Sequence, residues 1–101
     1  MAFVRAAAAS EIPVGTIKEV SVGGTAVAVA NVGGEFHAIN NTCLHRGGPL
    51  GEGMLEGRIV TCPWHGWQFD VTTGRHCLNA RIEHTTFPLK IEGDDVFVEL
   101  P

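Results

Sequence analysis

The chain has 101 residues, 45% of them hydrophobic and 18% charged, a balance that suits one compact domain over residues 1–101 and excludes a disordered chain. Seven Lys plus Arg stand against eleven Asp plus Glu, a net charge of −4, so there is no basic stripe for nucleic acid, and no apolar run approaches the ~20 residues of a membrane-spanning helix. Residues 6–9 are too short and too weakly apolar for a secretory signal and three cysteines complete no disulfide framework, so the expectation is a cytoplasmic protein with no membrane partner. A mildly acidic surface would steer encounters with a basic patch on another protein, and reads equally well as ordinary solubility.

In chain order, nearly every segment reads as a short strand closed by glycine. Residues 3–7 and 17–22 carry strand formers, Gly23-Gly24 turns the chain, and 26–32 follows as the next strand. Gly33-Gly34 separates it from residues 35–39, and two central glycines suit the positive φ angles of a tight hairpin. Residues 58–61 and 67–70 flank a special loop, closed by 72–74, and residues 87–92 pair with 96–100 across Gly93-Asp94-Asp95. Only residues 6–10 have helical propensity, enough for a turn or two. Phe36, Ile39, Val60, Phe87, Val96 and Val98 are the expected core. The class is all-β, with no internal repeat and no linker.

Two motifs carry the chemistry: Cys43-Leu44-His45-Arg46-Gly47-Gly48 and, further on, Cys62-Pro63-Trp64-His65-Gly66-Trp67. Any one of these cysteines or histidines alone reads as an ordinary core residue. Their paired recurrence points to a metal, because each loop offers one thiolate and one imidazole that can converge on one centre. Glycines just beyond each histidine let backbone N–H groups approach bridging sulfides. A Cys₂His₂ zinc site is the competitor, yet zinc sites group like ligands, whereas here each loop mixes them.

At these residues the sequence resembles the Rieske family, whose pattern is Cys-x-His, a spacer of this length, and Cys-x-x-His. The resemblance implies antiparallel β-sheets in a sandwich with two cluster-binding hairpin loops, and one [2Fe–2S] cluster held by Cys43 and Cys62 on the inner iron and His45 and His65 on the outer. Two Fe³⁺, two S²⁻ and two thiolates sum to zero, so an electron is added more easily than to an all-thiolate cluster, and the family's potentials run from ~−150 to +300 mV.

High-potential members join their two loops by a disulfide; the matching positions here are Gly48 and Trp64. Their Ser and Tyr hydroxyl donors are replaced by Trp67 and Phe69, which implies the low end of the range. Low-potential members serve ring-hydroxylating oxygenases, so the implied function is a monomeric electron carrier, not an enzyme, between a flavin-containing reductase and a terminal oxygenase. The alternative is a Rieske-like small subunit of an assimilatory nitrite reductase; a zinc-stabilised interaction module is the third reading. The third loop, at Leu78-Asn79-Ala80, lacks the proline often found in the family. Cys77 and His76 are read as plain residues near that loop, Trp64 and Trp67 as shields against water, and Arg46 as an exposed tip residue equally suited to docking or to plain solvation.

Overall fold

The computed structural model describes residues 2–43, 47–64, 66–79 and 81–100, with only the backbone of Ala2. Its strands are β1 (Ala2–Ala8), β2 (Ile17–Val22), β3 (Thr25–Val32), β4 (Glu35–Asn40), β5 (Met54–Glu56), β6 (Ile59–Thr61), β7 (Gln68–Asp70), β8 (Thr86–Phe87), β9 (Leu89–Glu92) and β10 (Asp95–Leu100). They form three antiparallel sheets, ordered β1-β10-β9, β2-β3-β4-β8 and β5-β6-β7. The all-β expectation is met, and 3₁₀ turns at Ala9–Glu11 and Leu50–Glu52 are the helical elements among the described residues.

The double-glycine turns behave as their chemistry requires. Val22 pairs with Thr25 and Val32 with Glu35, leaving two-residue loops, and Gly33 and Gly34 take φ of 60° and 97°, a region closed to most L residues. The alanine tract at 6–8 stays in β1, because β10 offers a ladder in which Ala7 faces Val96 and Ala8 faces Asp95. The expected helix survives only as the 3₁₀ turn, where the Glu11 carboxylate accepts a hydrogen bond from the Ala8 N–H at 2.8 Å.

β1, β3 and β4 run one residue beyond the expected bounds, and four other differences each have a local reason. Pro88 has no N–H for a ladder, and the run 87–92 divides there: β8 pairs with β4 in one sheet and β9 with β10 in another. Asp95 pairs with Glu92, so the last turn is Gly93-Asp94 alone. Arg58 belongs to the turn with Gly57, which brings in the unanticipated β5 opposite β6. Trp67 belongs to the loop, and β7 begins at Gln68.

The four-stranded sheet is the middle layer. Along β3, Val27 and Val29 enter one core with Ile12, Ala38, Phe87, Val96 and Val98, while Ala28 and Ala30 enter a second with Ile39, Leu50, Val60 and Phe69. A strand buried on both faces is apolar throughout rather than alternating. Of the expected core, only Phe36 is no more than partly buried. Cys43 and Cys62 lie in the second core.

Candidate metal centre

The two cysteine loops are closed by one hydrogen-bond pattern used twice. In the first, which leaves β4, the Cys43 N–H donates to the Gly48 carbonyl at 2.8 Å and the Gly47 N–H donates back to the Cys43 carbonyl at 2.9 Å. In the second, between β6 and β7, the Cys62 N–H donates to Trp67 O at 2.8 Å and the Gly66 N–H to Cys62 O at 3.1 Å. Gly47 and Gly66 hold nearly the same φ, 74° and 75°. The unequal Cys-x-His and Cys-x-x-His spacings therefore sit inside loops of equal length and closure. These two glycine N–H groups turn inward to the cysteine carbonyls and close the loops.

The elements beneath hold both loops at their bases. A Thr42–Pro49 bridge closes the first, and buried Asn41 pins it by accepting from the Gly51 N–H through Oδ1 at 2.7 Å and from the Leu50 N–H through its backbone carbonyl at 2.8 Å. Asn40 Oδ1 takes the Thr42 N–H at 2.9 Å. Sequence reasoning missed this Asn pair; two consecutive Asn just before a ligand cysteine were the available signal, since Asn readily satisfies a turn's backbone. The second loop is carried by the β6–β7 hairpin, in which Val60 faces Phe69.

Cys43 and Cys62 are 2% and 3% exposed, each the first residue of its loop. Gly48 is where the loops meet: a Cβ there would lie 2.7 Å from Cys62 Sγ and 3.2 Å from Trp64 Cβ. The two positions matching the disulfide of high-potential Rieske proteins are thus adjacent, and an indole packed on a glycine occupies the place of that bond. His45 and His65, together with Leu44, Arg46 and Ala80, lie outside the described residues. Two buried thiols presented by matching loops, with a histidine inside each, are a donor set that fits a mixed-ligand iron–sulfur centre, and the space beside Cys62 exists only because residue 48 has no side chain.

The third loop hangs from β7 through the Cys77 N–H to the Gln68 carbonyl at 2.9 Å. Cys77 is exposed, and desolvation, then the charge of Asp70, raises its pKa; it stays a neutral thiol, apart from the buried pair. His76 is buried, with its ring edge-on to Trp67 at 4.6 Å and to Phe69 at 5.3 Å between centroids. Its Nδ1 accepts the Leu78 N–H at 3.1 Å. Trp67 is half-buried in this stack, whereas Trp64 remains 58% exposed. Between the second and third loops runs a groove of about 420 Å³ whose lining includes Gly66, Trp67, His76, Leu78 and Asn79.

Residues 2–93 match the family described as the Rieske [2Fe–2S] domain. The chain is 40% identical, over 97% of its length and 95% of the relative's, to the ferredoxin component of the naphthalene 1,2-dioxygenase system of Pseudomonas aeruginosa. Among solved structures it superposes on the Sphingomonas yanoikuyae B1 ferredoxin with a TM-score of 0.89 and 31% identity, covering 99% of this chain and 100% of that one. It also superposes, with a TM-score of 0.85 and 35% identity over 95% and 91% of the two chains, on a chain from a complex of reduced oxygenase and oxidised ferredoxin in carbazole 1,9a-dioxygenase.

Proposed function

The chain belongs to the Rieske [2Fe–2S] domain family, and we propose that Cys43, His45, Cys62 and His65 hold its one cluster and that it passes single electrons from a flavin-containing reductase to a terminal, aromatic-ring-hydroxylating oxygenase. It is an electron-transfer component and not itself a catalyst, as are the dioxygenase ferredoxins it resembles. When bound, the cluster supplies reversible one-electron chemistry at a potential set by its ligands and surroundings. Cys43 and Cys62 are the proposed ligands of the inner iron, His45 and His65 of the outer.

The observation that carries this reading is the pair of identically closed loops, each with a buried cysteine at its head. What the chain's own residues do follows from it. Burial of the thiols keeps water from the inner ligands, and Trp67 and Phe69 stack beside the loops without offering a hydroxyl to sulfur. Loss of such donors supports a potential at the low end of the family range. The relatives favour an oxygenase partner over a nitrite reductase, being named for dioxygenase systems. A single-domain, monomeric protein of the cytoplasm is part of the same proposal; no described helix is long and apolar enough to cross a membrane.

The test is reconstitution. The purified, cluster-loaded protein should form no arene product by itself, and should restore turnover when added with a flavin reductase to the terminal oxygenase of the naphthalene system. Restoring nitrite reduction to a catalytic reductase subunit while failing with the oxygenase would overturn the reading. For the ligands, Cys43→Ser and Cys62→Ser should each remove iron, sulfide and the visible spectrum and loosen the loops, since metal binding and folding are linked; two irons retained in either variant would refute the assignment.

A further inference from the structure

Among the described residues, every Lys and Arg except one sits in an ion pair. Arg5 meets Asp95, Lys18 meets Glu11, Arg58 meets Asp70, Arg75 meets Glu83 and Lys90 meets Glu92. Arg81 is exposed, and no described carboxylate pairs with it. It stands on the third loop, and Asn79 and Ile82 to either side line the groove beside the second metal loop.

The three loop segments themselves carry no carboxylate, and Asp70 and Glu83, which follow two of them directly, are each held by an arginine, Arg58 and Arg75. Residues 41–51, 62–69 and 76–82, which contain the three loops, include no Asp or Glu, although the chain has eleven. Glu92, Asp94, Asp95 and Glu99 lie instead on β9, β10 and their turn, in the sheet across the middle layer from the metal loops. That sheet and its turn thus carry four carboxylates against Arg5 and Lys90, and the far side is acidic. At the loop end the exposed features are apolar and cationic: Leu78 is 90% and Trp64 58% exposed, beside the unpaired guanidinium.

Resting on the electron-carrier reading, we propose that this face, centred on Leu78 and Arg81 beside the second metal loop, docks an acidic patch with an apolar centre on the terminal oxygenase, and that Arg81 determines partner choice. A guanidinium with no ion-pair partner among the described residues is available to meet a carboxylate across an interface. An isoleucine-sized apolar side chain left almost wholly in water gains from being covered. Opposite-charge faces orient the encounter, while the acidic far sheet turns the wrong side away from the same partner.

Charged small oxidants test the polarity without any partner. The reduced holoprotein is mixed by stopped flow with anionic iron(III)–EDTA or with cationic hexaammineruthenium(III). A cationic loop face makes the anionic oxidant slow down as salt is added, whereas a uniform net charge of −4 would make it speed up. Arg81→Glu should lower the anionic rate about twofold at ~0.1 M ionic strength, Arg81→Gln should do so by less, and Glu92→Lys on the far sheet should leave it unchanged. Acceleration by salt with no response to Arg81→Glu overturns the proposal. With the naphthalene-system oxygenase, Arg81→Glu and Leu78→Ser should raise the half-saturating ferredoxin concentration several-fold at unchanged potential and spectrum. Unchanged half-saturation overturns the docking site even where wild-type turnover upholds the electron-carrier reading. Failure of the wild type to support turnover removes that reading and the occupant with it, while the salt response still decides the polarity. A dimer that Leu78→Ser dissociates would assign the face to a second copy and also overturn the proposal.

Discussion

Gly48 and Phe69 are the residues at which substitution says most about the centre. At Gly48 the constraint is space: a methyl group would meet Cys62 Sγ at 2.7 Å and Trp64 Cγ at 3.0 Å, so the cysteine or the indole must move. Overpacking of this kind costs about 1–3 kcal/mol, and here it falls on a proposed iron ligand. Gly48→Ala is expected to lose iron occupancy as well as thermal stability, read by iron analysis and melting together. Phe69 is fully buried among Trp67, His76 and His84. The wild-type potential should fall near the lower Rieske limit, on the order of −150 mV. If the Phe69→Tyr hydroxyl bonds a cysteine sulfur and strengthens by about 1 kcal/mol on reduction, the potential rises by about 40 mV. Protein-film voltammetry measures both; a wild-type value above ~+100 mV would refute the low-potential assignment, and an unshifted Phe69→Tyr would leave the loss of a hydroxyl donor unsupported as its cause.

The two metal loops are elements in their own right, and their glycines at 47 and 66 are constrained by conformation, not by space. A Cβ at Gly66 would meet no described neighbour within 4 Å, yet its φ is +75°. Forcing an L side chain there costs roughly 1–2 kcal/mol. Gly66→Ala should therefore lower the melting temperature by about 4–8 °C per kcal/mol while the cluster spectrum survives. That outcome is the opposite of the one expected for Gly48→Ala, and differential scanning calorimetry with absorption spectra separates them. Comparable iron loss in both variants would show that loop closure itself, and not only the space beside Cys62, governs cluster assembly.

The three layers, with the loops at one end, also set how the molecule as a whole responds to pH. His84 is buried beneath the loop end against Phe69, and neither ring nitrogen has a hydrogen-bond partner of good geometry among the described residues. Burial lowers its pKa, offset in part by the nearby backbone of Thr42 and Asn40. The native state then refuses a proton that the unfolded chain accepts near pH 6.5. Its contribution is intact above that pH and is lost as pH falls from 6.5 through the lower native value. The melting temperature should drop between pH 7.5 and 5.5, and the drop should be smaller in His84→Phe. Equal slopes in the two proteins would remove His84 as the cause.

Strand rhythm, double-glycine turns and the two pairs Cys43/His45 and Cys62/His65 were legible in the sequence, because each strand, turn or pair depends on residues within a few positions of one another. Backbone φ preferences and turn chemistry act locally, and a mixed Cys/His motif can be recognised without knowing its surroundings. The sheet switch at Pro88, the assignment of Val27 and Val29 to one core and Ala28 and Ala30 to the other, and the packing of Trp64 on Gly48 were decided only in three dimensions. So was the distribution of charge, since a net value of −4 carries no direction until the sheets place Glu92, Asp94, Asp95 and Glu99 across the middle layer from the carboxylate-free loop segments. Each of these rests on contacts between residues far apart in the chain, where the energy lies in mutual burial and exclusion that no single segment contains.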